Sequence, residues 1–478
     1  MVFSSITFLF LFLPLVLGIY CISPARLKNH VLLAASLLFY AWGEKFYTLV
    51  MLASIVLNYF SALLIERYRK RGLARTIFVI SLVLNLGMLV VFKYANFLVD
   101  NLNDLLRLCA VSPISLQPIH LPIGISFFTF QALSYVVDVY RQEVKADRNP
   151  AGVALYVALF PQLIAGPIVR YQEVAREIVQ RSVRLEDFSE GVRRFILGFG
   201  KKMLIANTLA VPADEIFGLP ANALTPGVAW LGVVCYALQI YFDFSGYSDM
   251  AIGLGRMFGF KFNENFNYPY ISRSVTEFWR RWHISLSTWF RDYLYIPLGG
   301  NRHGAGRTYC NLMFVFLLCG LWHGASWSFV VWGMFHGGLL VLERVVLGDR
   351  LERCWPVVRH AYLLLAVLIS WVFFRAENLS HAIGYLTAMF SVAPRAAAST
   401  KLALYLNSEI AVMLLIGGLA SLPVFPKARA LLAQERWKRF AAGPLAEFAR
   451  VGLYIAVFSF SVLWLASGTH NPFIYFRF

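Results

Sequence analysis

Long runs of apolar residues, separated by short polar gaps, make up most of this chain. A membrane-spanning helix needs about 20 predominantly apolar residues. Runs of that kind lie near 2–22, 46–65, 76–98, 120–139, 226–258, 309–325, 327–346, 360–375, 408–424 and 450–468. Shorter runs, which need packing partners or cross incompletely, lie at 30–43, 151–169, 203–218 and 382–393. The pattern predicts an all-α polytopic membrane protein with about ten to twelve crossings in a single membrane-embedded domain, 1–478.

Basic clusters in the polar gaps predict how the chain is oriented, because cytoplasmic loops of membrane proteins carry an excess of Lys and Arg. The clearest cluster is 66–75, which has five basic residues and one Glu. The segments 141–148 and 181–202 are basic as well. We therefore expect all three segments on the cytoplasmic side.

The apolar run 151–169 conflicts with a simple crossing, since basic segments flank it on both sides. It also contains Pro161, Gly166 and Pro167, which interrupt a helix. We therefore expect a re-entrant element here. Non-helical backbone at that depth is tolerated only where protein or a water-filled cavity surrounds it, so the run also predicts an internal chamber.

The composition supports the membrane class and excludes several others. Of the 478 residues, 59% are hydrophobic and 14% are charged, whereas a soluble globular chain has about 45–50% and roughly 25%. The net charge of +17 lies in short gaps between apolar runs, so membrane lipids and not nucleic acid are the expected partner. Six cysteines are scattered without a CxxC pair, and we expect no metal site.

A histidine deep in an apolar hairpin is the first candidate for chemistry. His323 lies within 311–338 and has mostly apolar residues on both sides. Ionisable groups at that depth are rare and mark pathways or reaction sites. A neutral core histidine that donates to a neighbouring carbonyl is the alternative, and position alone leaves both open. The same alternatives hold for His336 on this hairpin.

A second histidine, His283, lies in a segment where cations alternate with aromatic residues, 272–302. Arg280 and Arg281 stand beside it. The pattern is typical of an interfacial amphipathic helix with aromatic anchors. Alternatively, the cations face inward and meet a negatively charged cosubstrate, such as the cytoplasmic thioester donor acetyl-CoA.

Two carboxylates interrupt the apolar span 226–258. Asp243 and Asp249 are six residues apart, about 600° of helical rotation, so they point to different faces and do not form a shared-proton pair. Buried carboxylates need hydrogen bonds or cationic partners. Structural pairing is the expected role of each, and the alternative is that each orients a separate neighbour, such as His323 or an arginine of 272–302.

Motifs of other enzyme classes are absent from the sequence. It contains no GxSxG elbow, no HExxH, no P-loop and no GxGxxG before a helix. Serine-based acylation within the chain is therefore disfavoured, which leaves histidine as the expected catalytic side chain.

Several sequence motifs together resemble the membrane-bound O-acyltransferase family. The most specific pair is RRWHISLS (280–287) followed by GLWHG (320–324). The others are FKYANF (92–97), LPIGISFFTF (121–130), ALFPQLIAGP (158–167) and YFDFSGYSDMAIGLG (241–255). The core motifs lie in 92–377, whereas 378–478 is less distinctive.

The resemblance implies a fold and two site residues. Family members form a ring of transmembrane helices around a thinner centre, where funnels from both sides meet. The histidine of the GLWHG motif, His323, is the implied catalytic residue. His283 is the second histidine of the catalytic pair and lies nearer the cytoplasmic mouth.

The resemblance also implies the reaction. It is O-acetylation of a bacterial exopolysaccharide, with acetyl passed from a cytoplasmic thioester, acetyl-CoA, across the inner membrane. No bound cofactor is implied. Alginate is the leading acceptor, and cellulose or another cell-surface glycan is the alternative. The implied partners are periplasmic proteins of the SGNH-hydrolase type and a polysaccharide synthase or secretion complex.

Elementary chemistry assigns roles to the candidates. A neutral His323 takes the proton of an attacking hydroxyl, which contributes roughly 10²–10⁴-fold. The oxyanion needs donors, and Trp322, Asn311 or the N–H of Gly324 are candidates. The cations expected to hold the phosphates of the donor, unless they only follow the positive-inside rule, are Arg280, Arg281, Lys201 and Lys202.

Two hypotheses from other functional classes remain. A proton-coupled transporter or flippase of a sugar or acyl intermediate would use Asp243, Asp249 and His323 as a relay. It predicts inverted repeats, which the sequence lacks. A scaffold for a polysaccharide synthase fits the aromatic residues but gives the buried polar residues no role.

Overall fold

The protein is helical throughout the part that the computed structural model describes, residues 1–391, 401–432, 434 and 443–468. No β-strand occurs in these ranges, which confirms the predicted all-α class. The helices up to the middle of the chain are α1 Leu13–Ile22, α2 Lys28–Glu44, α3 Thr48–Tyr68, α4 Leu73–Leu89, α5 Ala95–Leu108, α6 Ile125–Arg141, α7 Pro150–Ala158, α8 Phe160–Leu163, α9 Tyr171–Val179, α10 Leu185–Gly200 and α11 Asn207–Phe217. The later helices are α12 Pro226–Met257, α13 Val275–Trp279, α14 Ile284–Phe290, α15 Ala305–His323, α16 Trp327–Leu342, α17 Gly348–Arg353, α18 Pro356–Arg375, α19 Leu379–Met389, α20 Ser408–Ala420, α21 Val424–Leu432 and α22 Pro444–Ala466.

Seven helical segments of the described chain are long and apolar enough to cross a membrane, by length and composition. They are Lys28–Arg71, Leu73–Leu108, Pro226–Met257, Ala305–His323, Trp327–Arg353, Pro356–Arg375 and Pro444–Ala466. Shorter apolar helices cover Phe8–Ile22 and Ser408–Ala420. The chain is therefore a multi-pass membrane protein, whereas the count of ten to twelve crossings, the ring and the funnel stay predictions.

The chain packs into two compact units, the first of which comprises Met1–Val192 and Ala251–Asn263. Phenylalanine rings form its centre, with Phe12 and Phe39 5.4 and 5.6 Å from the ring of Phe160. A hydrogen bond of 2.8 Å from the hydroxyl of Tyr20 to the carbonyl of Phe258 joins the two ends of this unit's sequence.

The interrupted run 151–169 lies in the first unit and breaks as its proline and glycine residues predict. Helix α7 ends at Ala158, Leu159 has non-helical dihedral angles, and α8 is four residues long. The side-chain amide of Gln162 donates to the carbonyl of Tyr156 at 2.6 Å and so satisfies a group that the break exposes. The broken helix is confirmed, while a re-entrant path and a chamber stay predictions.

The second unit comprises Arg193–Met250 and Glu264–Phe478. In this unit α15 and α16 form a closely packed hairpin, where two glycines let the helices meet. A Cβ added to Gly320 would lie 2.3 Å from the carbonyl oxygen of Phe329, and one on Gly333 would lie 2.2 Å from that of Phe316. No side chain fits at either position, so the glycines determine how closely α15, which ends at His323, packs on α16.

Replacing Gly333 by Ala should therefore destabilise the hairpin, by about 1–3 kcal/mol for an overpacked site. Gly338 on the same helix has nothing within 4 Å of its added Cβ. Gly338→Ala is the matched control and should be neutral or stabilising by about 0.5–1 kcal/mol, since Ala favours helix. Thermal unfolding of the two purified variants in detergent tests this expectation, and equal unfolding temperatures would contradict it.

Candidate active site

His323 lies at the end of α15 inside a cage of aromatic rings and is 3% exposed. The aromatic cage consists of Trp322, Trp332 and Phe374, whose rings stand edge-on to the imidazole at 4.9, 4.8 and 5.2 Å. Gly324 follows in an extended conformation and ends the helix. The cage keeps water away from the imidazole, and the adjacent helix end places it beside irregular backbone.

His283 stands where a predicted helix breaks. The segment 272–302 is not one interfacial helix but two short helices, α13 and α14, with His283 between them at φ 44°. Its aromatic residues Trp279, Trp282 and Trp289 are buried. The prediction of an amphipathic interfacial helix with aromatic anchors is therefore wrong, because the chain's own core takes up these rings.

The conformation of His283 depends on the loop residue Asn265, which is 1% exposed. The backbone carbonyl of Asn265 accepts the N–H of Ile284 at 2.9 Å. Its side-chain Oδ1 lies 3.2 Å from Nδ1 of His283 and accepts from the hydroxyl of Ser285 at 2.9 Å. Its Nδ2 donates to Ser248 of α12 at 3.0 Å. One asparagine thus joins the turn at His283 to α12.

The structure brings the two histidines of the predicted pair together through one tryptophan. The ring of Trp322 is 6.0 Å from that of His283 and 4.9 Å from that of His323. Phe244 of α12 closes His283 from another side at 4.6 Å. Burial lowers the pKa of His283 to about 3, so its imidazole is neutral at physiological pH and can only donate or accept hydrogen bonds there.

His336 extends this cluster on α16. Its ring is completely buried and lies 5.1 Å from the ring of Trp332. The indole N–H of Trp279 donates to its Nδ1 at 3.2 Å, so Nε2 must carry the hydrogen of the neutral ring. Among the described residues this Nε2–H has no acceptor. His336 is thus a buried donor beside the aromatic cage.

Asp243 pairs with a lysine, a partner that the sequence did not suggest for it. Lys202 Nζ lies 2.5 Å from its carboxylate, and the two side chains are 1% and 3% exposed. A Cβ added to Gly246 would lie 2.7 Å from the carbonyl of Gly198, so glycines on α12 and α10 let the backbones approach closely there. The pair is a buried ion pair in the core of the second unit.

Asp249 belongs to a separate network, as the predicted difference in helix face requires. Its carboxylate accepts from Arg194 at 2.8 Å and from Lys201 at 2.6 Å. Arg194 also binds Glu264, which precedes Asn265. The expected structural pairing of Asp249 is therefore observed, with partners from α10 and the π-helical turn Lys201–Ala206 and not from 272–302.

The four cations predicted to bind phosphate therefore differ from one another in their surroundings. Lys201 and Lys202 already neutralise carboxylates of α12. Arg281 is half-buried and pairs with Glu277 at 3.0 Å. Arg280 is exposed, and its side chain has no partner among the described residues. Of the four, Arg280 is the cation that remains available to an anion.

Asn311, a predicted oxyanion donor, lies twelve residues before His323 on α15, about 18 Å along the helix. Its amide donates to the carbonyls of Leu298 and Gly300 at 3.3 and 3.2 Å. The N–H of Gly324, another candidate, donates to the carbonyl of Gly320 at 3.3 Å. Of the three candidates, Trp322 alone has a ring contact with His323, so the geometry lends no support to Asn311.

Sequence reasoning missed Asn265, Trp332 and Phe374. Asn265 lies 18 residues before His283, and nothing in the sequence shows that the two meet. No group of three or more His, Cys, Asp or Glu within the described ranges could hold a metal ion.

Comparison with known proteins identifies the family. The model of the membrane-bound O-acyltransferase family matches residues 36–380, which include the interrupted run, both carboxylates of α12 and all three histidines of the cluster. The chain belongs to the membrane-bound O-acyltransferase family. It is therefore a membrane-bound O-acyltransferase, and His283 and His323 lie in the matched range. Its description as a single domain over 1–478 stays a prediction.

Curated relatives of this O-acyltransferase match most of its length. A probable alginate O-acetylase AlgI of Azotobacter vinelandii is 45% identical, with all of both chains covered. The probable alginate O-acetylase AlgI of Pseudomonas aeruginosa is 50% identical over 82% of this chain and 75% of its own. The peptidoglycan O-acetyltransferase of Helicobacter pylori is 36% identical over 81% and 80% of the two chains.

Removal of Lys202 should destabilise this O-acyltransferase strongly. Lys202→Met leaves the buried Asp243 carboxylate without the cation beside it, a change that costs about 3–5 kcal/mol. The double variant Lys202→Met, Asp243→Leu removes both charges and should recover most of the loss.

The matched control is Lys201→Met. Lys201 is 33% exposed, and Asp249 keeps Arg194, so the loss should stay within about 1 kcal/mol. Chemical denaturation in detergent measures all three variants. Equal losses for the two single variants, or no recovery in the double variant, would show that the pair does not stabilise the core.

Proposed function

We propose that this O-acyltransferase moves acetyl from the cytoplasmic thioester acetyl-CoA across the bacterial inner membrane for O-acetylation of alginate. One observation carries the proposal: His323 lies in a buried aromatic cage, and Trp322 connects it to His283. A neutral imidazole in such a cage is suited to acid–base chemistry on a neutral hydroxyl. The names of the two probable alginate O-acetylases support the acetyl group and the polymer.

In the proposed reaction, His323 takes the proton of an acceptor hydroxyl while the hydroxyl oxygen attacks the thioester carbonyl. The carbon–sulfur bond then breaks, and the leaving thiolate takes the proton from the imidazolium. The products are an acetyl ester and a thiol, so atoms and protons balance. Exclusion of water by Trp332 and Phe374 favours the hydroxyl over hydrolysis of the donor.

The oxyanion that forms on the carbonyl needs donors. Two buried N–H groups without partners among the described residues lie at the cage, the indole of Trp332 and Nε2 of His336. The ring of Trp332 contacts both His323 and His336. We propose these groups in place of Asn311, whose amide binds the loop before α15.

The final acceptor and the partners also belong to the proposal. The acetyl group reaches the polymer with the help of periplasmic proteins of the SGNH-hydrolase type, and the enzyme works beside a polysaccharide synthase or secretion complex. Cellulose or another glycan is the second candidate acceptor. The peptidoglycan O-acetyltransferase relative supports this second candidate, because that chain, of similar length, is named for a polymer other than alginate.

The test uses purified protein and labelled acetyl-CoA. Release of CoA with transfer or hydrolysis of acetyl supports the enzyme, whereas binding without turnover favours a transporter or a scaffold. Turnover that requires an alginate oligomer or a partner protein identifies the acceptor.

Replacement of His323 by Ala should abolish this turnover, because no other group in the cage takes the proton. The loss expected is roughly 10²–10⁴-fold. His303 is an exposed histidine, so His303→Ala should keep wild-type activity. The amount of each variant in the membrane is measured in parallel by immunoblotting, and acetylated polymer at wild-type level in His323→Ala would remove His323 from the mechanism.

Reversal of the charge at Arg280 should weaken donor binding without changing turnover at saturation. Arg280→Glu is expected to raise KM for acetyl-CoA by about fivefold, since an exposed charge contributes modestly. The effect should shrink as ionic strength rises. Arg273→Glu, another exposed arginine, is the control, and an equal rise in KM there would show a general field and no specific contact.

A further inference from the structure

Asn265 determines which ring nitrogen of His283 carries the hydrogen. Its Oδ1 is the common acceptor for three neighbours of the turn, namely the backbone N–H of Ser285 at 3.2 Å, the hydroxyl of Ser285 at 2.9 Å and Nδ1 of His283 at 3.2 Å. On the other side its Nδ2 donates to the hydroxyl oxygen of Ser248 at 3.0 Å. The residue is 1% exposed, so solvent does not compete for these bonds.

The orientation of this amide follows from the chemistry of its partners. A backbone N–H can only donate, so the amide atom that faces Ser285 must be the oxygen. A rotated amide would place an NH₂ group against that N–H and leave both without an acceptor. The same oxygen faces Nδ1 of His283, and Nδ1 must therefore carry the hydrogen.

The other nitrogen of His283 then has a lone pair. Nε2 is buried and has no hydrogen-bond partner among the described residues. The imidazole contacts two aromatic rings, that of Phe244 at 4.6 Å and that of Trp322 at 6.0 Å. A buried acceptor without a donor costs free energy that a bound ligand can recover.

The backbone supports the same arrangement. His283 has φ 44° and ψ 54°, a left-handed conformation that is strained for a residue with a side chain and persists only where its surroundings hold it. The carbonyl of Asn265 holds the N–H of Ile284 at 2.9 Å, and the carbonyl of Arg281 holds the N–H of Asn267 at 2.9 Å. The loop before α13 thus imposes this conformation, which aims the imidazole at Asn265.

We propose that Asn265 is a positioning residue of the acyl-transfer site, which holds His283 in its Nδ1–H form so that Nε2 accepts a hydrogen bond from an N–H or O–H group of a bound substrate. The proposal rests on the proposed function for the identity of that substrate. The chemical class of the ligand group is a hydrogen-bond donor, such as an amide of the thioester's arm or a hydroxyl of the acceptor.

The charged groups near His283 are paired elsewhere or exposed, so its protonation depends on the contact with Asn265. On α12, Asp243 and Asp249 are paired with cations, and Glu264 of the loop binds Arg194. Among the arginines of this segment, Arg281 pairs with Glu277, while Arg280 is exposed. The titratable group beyond Trp322 is His323. Burial alone lowers the pKa of His283, so an added carboxylate at 265 should change it directly.

The first test reads the tautomer without any reaction. The full chain, labelled with ¹⁵N-histidine in detergent, is compared with His283→Gln to assign the His283 signals. Wild type should show a protonated Nδ1 and an unprotonated Nε2, unchanged between about pH 5 and pH 8. Asn265→Leu should lose this preference. A protonated Nε2 in the neutral wild-type ring, or an unchanged tautomer in Asn265→Leu, would overturn the proposal.

The second test uses Asn265→Asp, which keeps an acceptor for all three donors and adds a negative charge. An ionised Asp next to His283 should raise the pKa of the imidazole by about one to three. As pH falls, the neutral form is then lost at a higher pH than in wild type. The ¹⁵N titration of His283 should move upward by that amount, and the low-pH limb of acetyl transfer should lie at or above the new pKa, while activity above the limb is retained. Asn265→Leu should lose activity at every pH.

Asn267→Asp is the matched control, because Asn267 is exposed, lies in the same loop and makes no side-chain contact with His283 among the described residues. It should leave both the limb and the ¹⁵N spectrum unchanged. Identical ¹⁵N titrations of His283 in the two Asp variants would overturn the proposal. Absence of acetyl transfer in wild type would instead contradict the proposed function, and the ¹⁵N result would still decide the role of Asn265.

Discussion

In a chain that lies largely in lipid, each buried polar group must find its partner inside the protein, because the surrounding hydrocarbon offers none. Two amides illustrate this constraint in the first unit, where Asn58 and Asn85 exchange hydrogen bonds of 2.9 and 3.0 Å between α3 and α4. In the second unit, Lys202 and Asp243 do the same with charges. Such pairs set which helices lie side by side and how closely.

Against this constraint, the groups around the aromatic cage stand out. His283 and His336 each use one ring nitrogen to bind a neighbour, Asn265 and Trp279 respectively. Their other nitrogens face no partner among the described residues, one as an acceptor and one as a donor. Because burial makes an unmade hydrogen bond costly, these two atoms are where a ligand gains most from binding. The need of buried polar groups for hydrogen bonds thus explains both the pairs that join the helices and the two nitrogens where a ligand would bind.

Much of the fold, and His323 in the site, could be predicted from the sequence. Apolar runs of helical length indicated the helices, Pro161 and Pro167 indicated the break after α7, and a histidine deep in an apolar hairpin indicated His323. The prediction failed where partners come from distant helices. Asp249 meets Arg194, 55 residues earlier, and the aromatic residues of 272–302 turn inward. Periodicity describes one helix and not the surface against which it packs.

The sequence by itself determined that this is a polytopic membrane protein, that its motifs are those of the O-acyltransferase family, and that histidine is the expected catalytic side chain. These properties follow from residue type and order. Only the tertiary structure decided which cation neutralises each carboxylate, that Trp322 connects the two histidines, and which nitrogen of His283 carries its hydrogen. Those depend on distances of about 3 Å between residues far apart in the chain, and only packing sets such distances.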